Sequence, residues 1–144
     1  MRGQCLCGEI EFEILSRVPN LYQCHCSLCR KQGGSGSSAA TIVAAANLRW
    51  INGRRSVTSW TKNTGFRSDF CAKCGSPVPN ILRDKPYYWV PAGLLDLPAS
   101  VTIGVHLFVG SRAPWDRGLL TGKIYQTVPE LSELISLLES KPDA

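Results

Sequence analysis

A chain of 144 residues, 44% hydrophobic and 19% charged, can bury a real core and suits one globular domain over 1–144. No run approaches the ~18 apolar residues of a bilayer span, and Met1-Arg2-Gly3-Gln4-Cys5 has no long apolar stretch behind its charge. The expectation is therefore no membrane, no secretion and a cytoplasmic location. The net charge of +5 hints at an anionic partner, but metal binding by seven thiolates and two dications would lower it to about +2, which weakens any case for nucleic acid.

In chain order, Gly8–Leu15 alternates Ile10, Phe12 and Ile14 with Glu9, Glu11 and Glu13, the pattern of a half-buried strand. A proline-containing turn follows at 16–20. Gln23–Arg30 carries three cysteines, and the Gly/Ser-rich stretch Gln32–Ser38 reads as loop. Ala39–Ala46 holds Thr41, Ile42 and Val43 and fits a strand, although its alanines leave a helix open. Asn52-Gly53 signals a turn. Val57–Thr61 and Phe66–Phe70 form a predicted hairpin around Lys62–Gly65, whose second arm runs into Cys71. Tyr87–Val90 and Val101–Val109 are further strand candidates. Pro129–Glu139 places Leu131, Leu134, Ile135 and Leu138 at helical spacing behind an N-terminal proline. The prediction is a mainly β domain with short strands, many loops and a C-terminal helix at about 129–139.

Seven cysteines cannot all pair within one chain, and a reducing compartment disfavours disulfides. They fall in three clusters: Cys5-Leu6-Cys7-Gly8, Cys24-His25-Cys26-Ser27-Leu28-Cys29, and Cys71-Ala72-Lys73-Cys74-Gly75. A lone C-x-x-C is a redox motif or chance, but three clusters together favour metal. Residues i and i+2 of an extended segment share a face, so Cys5 and Cys7 can reach one ion. Cys71 and Cys74 have zinc-knuckle spacing, with Gly75 free to turn backbone N–H groups toward sulfur. Two such pairs make a closed tetrahedral site. The middle cluster counts three, which leaves one coordination position open, as in a catalytic zinc. His25, between two of its cysteines, or His106, brought in by folding, is an alternative fourth ligand. Three thiolates on Zn²⁺ carry a net negative charge and make a poor Lewis acid for water activation. Such a site suits an incoming thiol, held deprotonated yet nucleophilic.

At these residues the sequence resembles the glutathione-dependent formaldehyde-activating enzyme family, also known for its centromere protein V member. The resemblance rests on C-x-C-G at Cys5–Gly8, C-H-C-x-x-C-R at Cys24–Arg30, F-C-x-x-C-G-S-P at Phe70–Pro77 and a segment from His106 to Trp115, covering about 2–116. It implies an Mss4-like (β-tent) zinc-binding fold. It implies structural zinc on Cys5, Cys7, Cys71 and Cys74, and catalytic zinc on Cys24, Cys26 and Cys29, hence two Zn²⁺ per chain. It also implies carbon–sulfur lyase chemistry of the kind that joins glutathione and formaldehyde into S-(hydroxymethyl)glutathione.

Arg30 and Lys31 follow the open cluster and could hold a carboxylate of a glutathione-like thiol, or be a solvated pair. Arg67 and Arg112 are alternative anchors, and His106 a possible acid. Gly33–Gly36 could offer backbone donors to an anion or be plain loop. Trp50, Trp60, Trp89 and Trp115 read as core or pocket wall rather than a base-stacking platform. The leading function is a zinc-dependent carbon–sulfur lyase acting on a small-molecule thiol and an aldehyde. The alternative is a non-enzymatic zinc-binding module for protein or nucleic acid, against which the basic residues are scattered without a Lys/Arg block. A labile metal-buffering site is a third reading.

Overall fold

The computed structural model describes residues 1–141. Its elements run β1 (Arg2–Gln4), β2 (Glu11–Ile14), β3 (Leu21–Cys24), α1 (Ser27–Gly33), β4 (Ser38–Ala44), β5 (Leu48–Asn52), β6 (Val57–Thr61), β7 (Arg67–Cys71), β8 (Asn80–Ile81), β9 (Tyr87–Pro91), β10 (Ile103–Leu107), β11 (Lys123–Ile124) and α2 (Leu131–Glu139). The fold is mainly β with a C-terminal helix, as the patterning predicts. Two compact units are present. One comprises Met1–Val18 and Ile42–Leu97, the other Pro19–Thr41 and the chain from Pro98 on.

In the first unit, β2 pairs antiparallel with β1 and with β5. Its alternation works as read: Phe12 and Ile14 are fully buried and the glutamates lie outward. Phe12, Ile14, Val18, Val43, Leu48, Val90 and Leu95 form one core cluster. Ile10 and Val78 form a second with Cys5 and Cys71, so two sulfurs of the outer clusters are part of the packing. β6 and β7 form the predicted hairpin, in register from Val57↔Cys71 to Thr61↔Arg67. Buried Asp69 is satisfied by bidentate Arg67, at 2.8 and 3.0 Å. Gly53 has φ +72°, and a Cβ there would overlap the Glu9 carbonyl. The Asn52-Gly53 turn therefore needs glycine for both conformation and space.

In the second unit, β3 lies between β10, to which it is parallel, and β4, to which it is antiparallel; β11 pairs parallel with β10. Leu134 and Leu138 bury the apolar face of α2, which packs beside β10. The helix begins at Leu131 rather than at the expected 129, because Glu130 is still extended, with ψ 148°. Asn20 fastens the helix end. Its N–H donates to the Leu138 carbonyl at 2.9 Å and its Nδ2 to the Ser140 carbonyl at 3.0 Å, while its Oδ1 accepts from Thr102 N–H at 3.3 Å.

Five elements depart from the sequence reading as follows. β1 and β11 are three and two residues long, too short to show a period. β3 is buried except at half-buried Gln23, and β5 is mostly exposed beyond buried Leu48, so neither alternates cleanly. α1 occupies the end of the cysteine cluster and the start of the glycine-rich stretch, where composition argued for loop. For Ala39–Ala46, strand wins over helix, since Ala40, Thr41, Ile42 and Val43 are buried on both faces.

Asn20→Ala should cost about 1–3 kcal/mol, by stranding the Thr102 N–H and the Ser140 carbonyl. Gly53→Ala should cost at least about 1–2 kcal/mol from its left-handed backbone alone, with the clash in addition. Urea unfolding of both variants beside the parent checks these values.

Candidate metal centres

The first centre is built from two matching turns. Cys5 and Gly8 close one, with Gly8 N–H donating to the Cys5 carbonyl at 3.0 Å and φ +78° at Gly8. Cys71 and Gly75 close the other, with Gly75 N–H donating to the Cys71 carbonyl at 2.8 Å and φ +79°. Each glycine reverses the chain behind its cysteines, leaving the sulfurs in front. The Ile10 N–H donates to Cys5 Sγ at 3.3 Å. Ser76 Oγ accepts from the Leu6 N–H at 2.9 Å and lies 3.3 Å from Cys74 Sγ. The Ser76 side chain, then its backbone, pulls Cys74 down to about 5.

The seven cysteines are free, and Cys5, Cys7, Cys71 and Cys74 bring their sulfurs within 4.8 Å of one another. Four sulfurs at about 2.3 Å from a shared tetrahedral zinc stand about 3.8 Å apart. The Cys5–Cys7 and Cys7–Cys71 separations are 3.6 and 3.8 Å. That spacing is far beyond a disulfide bond and fits a metal.

The second centre lies where β3 runs into α1. Cys24 ends the strand, pairing with Leu107 and Ser38. His25 follows, its N–H on the Leu107 carbonyl at 2.9 Å. Cys26 is the N-cap of α1 and accepts from the Cys29 N–H at 3.4 Å through sulfur. A cap residue and one three places on lie together over the helix start, so Cys26 and Cys29 converge, and Cys24 joins them from the strand. The three sulfurs are within 4.8 Å of one another.

Hydrogen bonding among these thiols divides them. The thiols of Cys24 and then Cys29 donate to Cys26 and hold it far below the ordinary 9.0. Cys26, foremost, raises Cys24 to about 11, and Cys24, then Cys26, push Cys29 higher still. Without a cation one sulfur takes the negative charge and its neighbours keep their protons; a dication removes that constraint.

Neither histidine belongs to a sulfur group. His25 is 1% exposed, and its Nε2 is 3.0 Å from His106 Nδ1. His106 Nε2 is 3.0 Å from the Thr121 carbonyl, so both of its ring nitrogens are engaged. Burial first, then His106 and Arg112, push His25 down from its ordinary value, against Asp116, which raises it. His106 is also lowered, by burial first; the Thr121 bond opposes this and Arg112 adds to it.

Arg30 and Lys31 lie in α1 directly after the cysteines. Arg30 Nε is buried with no partner among the described residues, as is Arg112 Nε. Arg112 otherwise donates to Asp116 Oδ1 at 3.1 Å and to the Gly118 carbonyl. Gly34 ends α1 in a left-handed cap. A Cβ at Gly36 would sit 3.2 Å from both the Trp115 ring and Asp116 Oδ2. Trp50 packs on the first unit's core, whereas Trp60 and Trp115 are exposed. Sequence reasoning missed Ser76 and Asp116. An aspartate four residues after Arg112 was the available signal for an ion pair, but it gives no hint of His25.

Residues 1–111 match the sequence model of the family described as glutathione-dependent formaldehyde-activating enzyme. A Halomonas elongata protein, provisionally named as a glutathione-dependent formaldehyde-activating enzyme, is 29% identical over 84 residues; the match covers 54% of each chain, so it spans about half that relative's length. A crystal structure of a Rhodobacter sphaeroides protein superposes with TM-score 0.57 at 27% identity, covering 72% of this chain and 99% of that one.

Cobalt(II) titration of metal-free protein should produce thiolate-to-metal absorption from both sulfur groups. Cys26→Ala should remove the three-sulfur contribution and leave the four-sulfur one in place, whereas Cys74→Ala should remove the four-sulfur contribution.

Proposed function

The chain belongs to the glutathione-dependent formaldehyde-activating enzyme family, and on that premise we propose that it is a zinc-dependent carbon–sulfur lyase acting on adducts of a glutathione-type thiol with formaldehyde or a similar small aldehyde. The observation that carries this reading is the unequal donor count: four convergent sulfurs in one group and three in the other. Cys5, Cys7, Cys71 and Cys74 would hold a structural zinc with no position to spare. Closing residues 7 and 71 onto one ion constrains a long loop, so this metal would contribute directly to folding. Cys24, Cys26 and Cys29 would hold the second ion, leaving it one open position.

When bound there, zinc would lower the pKa of an incoming thiol and keep its sulfur as a thiolate. The three cysteines supply negative charge that keeps that sulfur electron-rich. In the forward direction the sulfur's electron pair forms the C–S bond to the aldehyde carbon. The C=O π pair moves to oxygen, which takes a proton from solvent, while the proton lost by the thiol returns to solvent. The reverse path breaks the C–S bond and releases thiol and aldehyde. Arg30, with Lys31 beside it, is the proposed carboxylate anchor. Its unmet Nε–H supports this, since a charged donor without an acceptor is costly and an anion can relieve it. His106, with both nitrogens engaged in the interior, has neither free donor nor exposure for substrate contact.

Exchange between formaldehyde and S-(hydroxymethyl)glutathione, followed by NMR, tests the proposal. The zinc-loaded chain should accelerate exchange, and Cys26→Ala should return it to the uncatalysed rate while the fold and the four-sulfur metal persist. Cys74→Ala should instead destabilise the fold. Arg30→Gln should raise the KM for glutathione by about 10–100-fold and leave exchange with 2-mercaptoethanol, which has no carboxylate, unchanged. A protein that loads both metals and leaves the exchange rate unaltered would be a binding module, not this enzyme.

A further inference from the structure

We infer that His25 and His106 are positioning residues for the three-cysteine centre, acting as a hydrogen-bonded pair of fixed proton placement that locks the Cys24–Cys26 segment from behind. This inference rests on the proposed metal at Cys24, Cys26 and Cys29 and gives that centre its support.

The proton placement follows from one carbonyl. Thr121 O can only accept, so His106 Nε2, 3.0 Å away, carries hydrogen. In a neutral imidazole Nδ1 is then a bare acceptor. His25 Nε2, 3.0 Å from it, must therefore donate, which leaves His25 Nδ1 bare. That atom is buried without a partner. It faces Asp116 Oδ2 at 3.9 Å, and two acceptors cannot bond to each other. The sequence Thr121 O, His106, His25 thus has a single direction, set at the Thr121 end. The Asp116 carboxylate is held by Arg112 at 3.1 Å through its other oxygen.

The mechanical consequence lies in the residue order. His25 stands between two of the three sulfur donors, and neighbouring side chains of an extended segment point to opposite sides. Fixing the His25 ring on one side fixes the backbone rotation that sends Cys24 and Cys26 to the other. The backbone alone does this only partly. His25 N–H is tied to Leu107, but β3 ends at Cys24, so Cys26 has no strand partner. His106 lies on β10, hydrogen-bonded along β3, so the ring is fastened to the strand beside it. Packing alone does not account for two histidines here. Both are buried, at 1% and 4% exposure, and apolar rings would fill the volume without the cost of burying polar atoms. What the polar pair adds is orientation, the property that supports around metal ligands supply.

The test compares two variants by metal affinity at each centre, using competition between a chelator and the protein for cobalt(II), with circular dichroism reporting the fold. His106→Phe keeps a ring and removes the acceptor. His106→Asn places an amide oxygen near the Nδ1 position and keeps it. His106→Phe should weaken the three-cysteine centre by about 10–100-fold and shift its cobalt spectrum, with the four-cysteine centre unchanged; His106→Asn should restore most of the affinity. Unchanged affinity in His106→Phe, or equal losses in both variants, would overturn the inference while leaving the proposed function standing. A parent protein that takes no metal at Cys24, Cys26 and Cys29 would overturn both. Imidazole ¹⁵N NMR of the parent needs no variant to fold: at neutral pH both rings should be protonated at Nε2 with bare Nδ1, and any other pattern would sink the arrangement.

Discussion

Sulfur atoms gathered within 4.8 Å of one another cannot all carry charge unless a cation sits among them, and that constraint organises this protein. Around Cys24, Cys26 and Cys29 it shows as opposite shifts, one thiol driven down and its neighbours up. A divalent metal satisfies every sulfur at once, so metal uptake and proton release are linked. In the first unit the same linkage reaches the fold. Cys5 and Cys71 are buried among Ile10 and Val78, so sulfurs that could hold a metal and part of the apolar core are one structure.

The two centres are framed differently, and the framing matches the donor count. The four-sulfur group sits at two glycine-closed turns, each held by a backbone hydrogen bond of its own. A long-range side-chain tie joins the two turns to each other, through Ser76 Oγ and the Leu6 N–H. The three-sulfur group sits where a strand stops and a seven-residue helix begins. Nothing local fixes that junction fully, and the structure places a buried histidine pair behind it. In the proposed reading, a centre with an open position must keep its ligands in place without a fourth protein donor, so it needs support from outside its own segment.

The polar interior of each unit follows one rule: a buried polar group is kept where it fixes something. Asn20 fastens the end of α2. The Arg67–Asp69 pair steadies the hairpin arm that delivers Cys71. Outside the interior, half-buried Ser76 does the same, tying the C-x-C turn to the C-x-x-C turn through Leu6 and Cys74. Each is a short-range, directional contact, and together they place the sulfurs more narrowly than apolar packing alone would.

What spacing can express was legible along the chain. The 2-residue period of β2, the β6–β7 hairpin, the 3.6-residue period of α2 and the three cysteine clusters are all written in local order, whereas the meeting of Cys5 and Cys7 with Cys71 and Cys74 is made by folding across 64 residues. The motif order also carried the family, because ligand spacing is a local property. Tertiary structure decided the rest. β3 and β5 are strands through their neighbours rather than their own alternation, and α1 forms mostly in the cysteine cluster and runs only through Gln32 and Gly33 into the stretch read as loop. His25 and His106 are 81 residues apart. Their pairing, and the Asp116 that faces them, depend on which strands lie side by side, and no one-dimensional pattern encodes that adjacency.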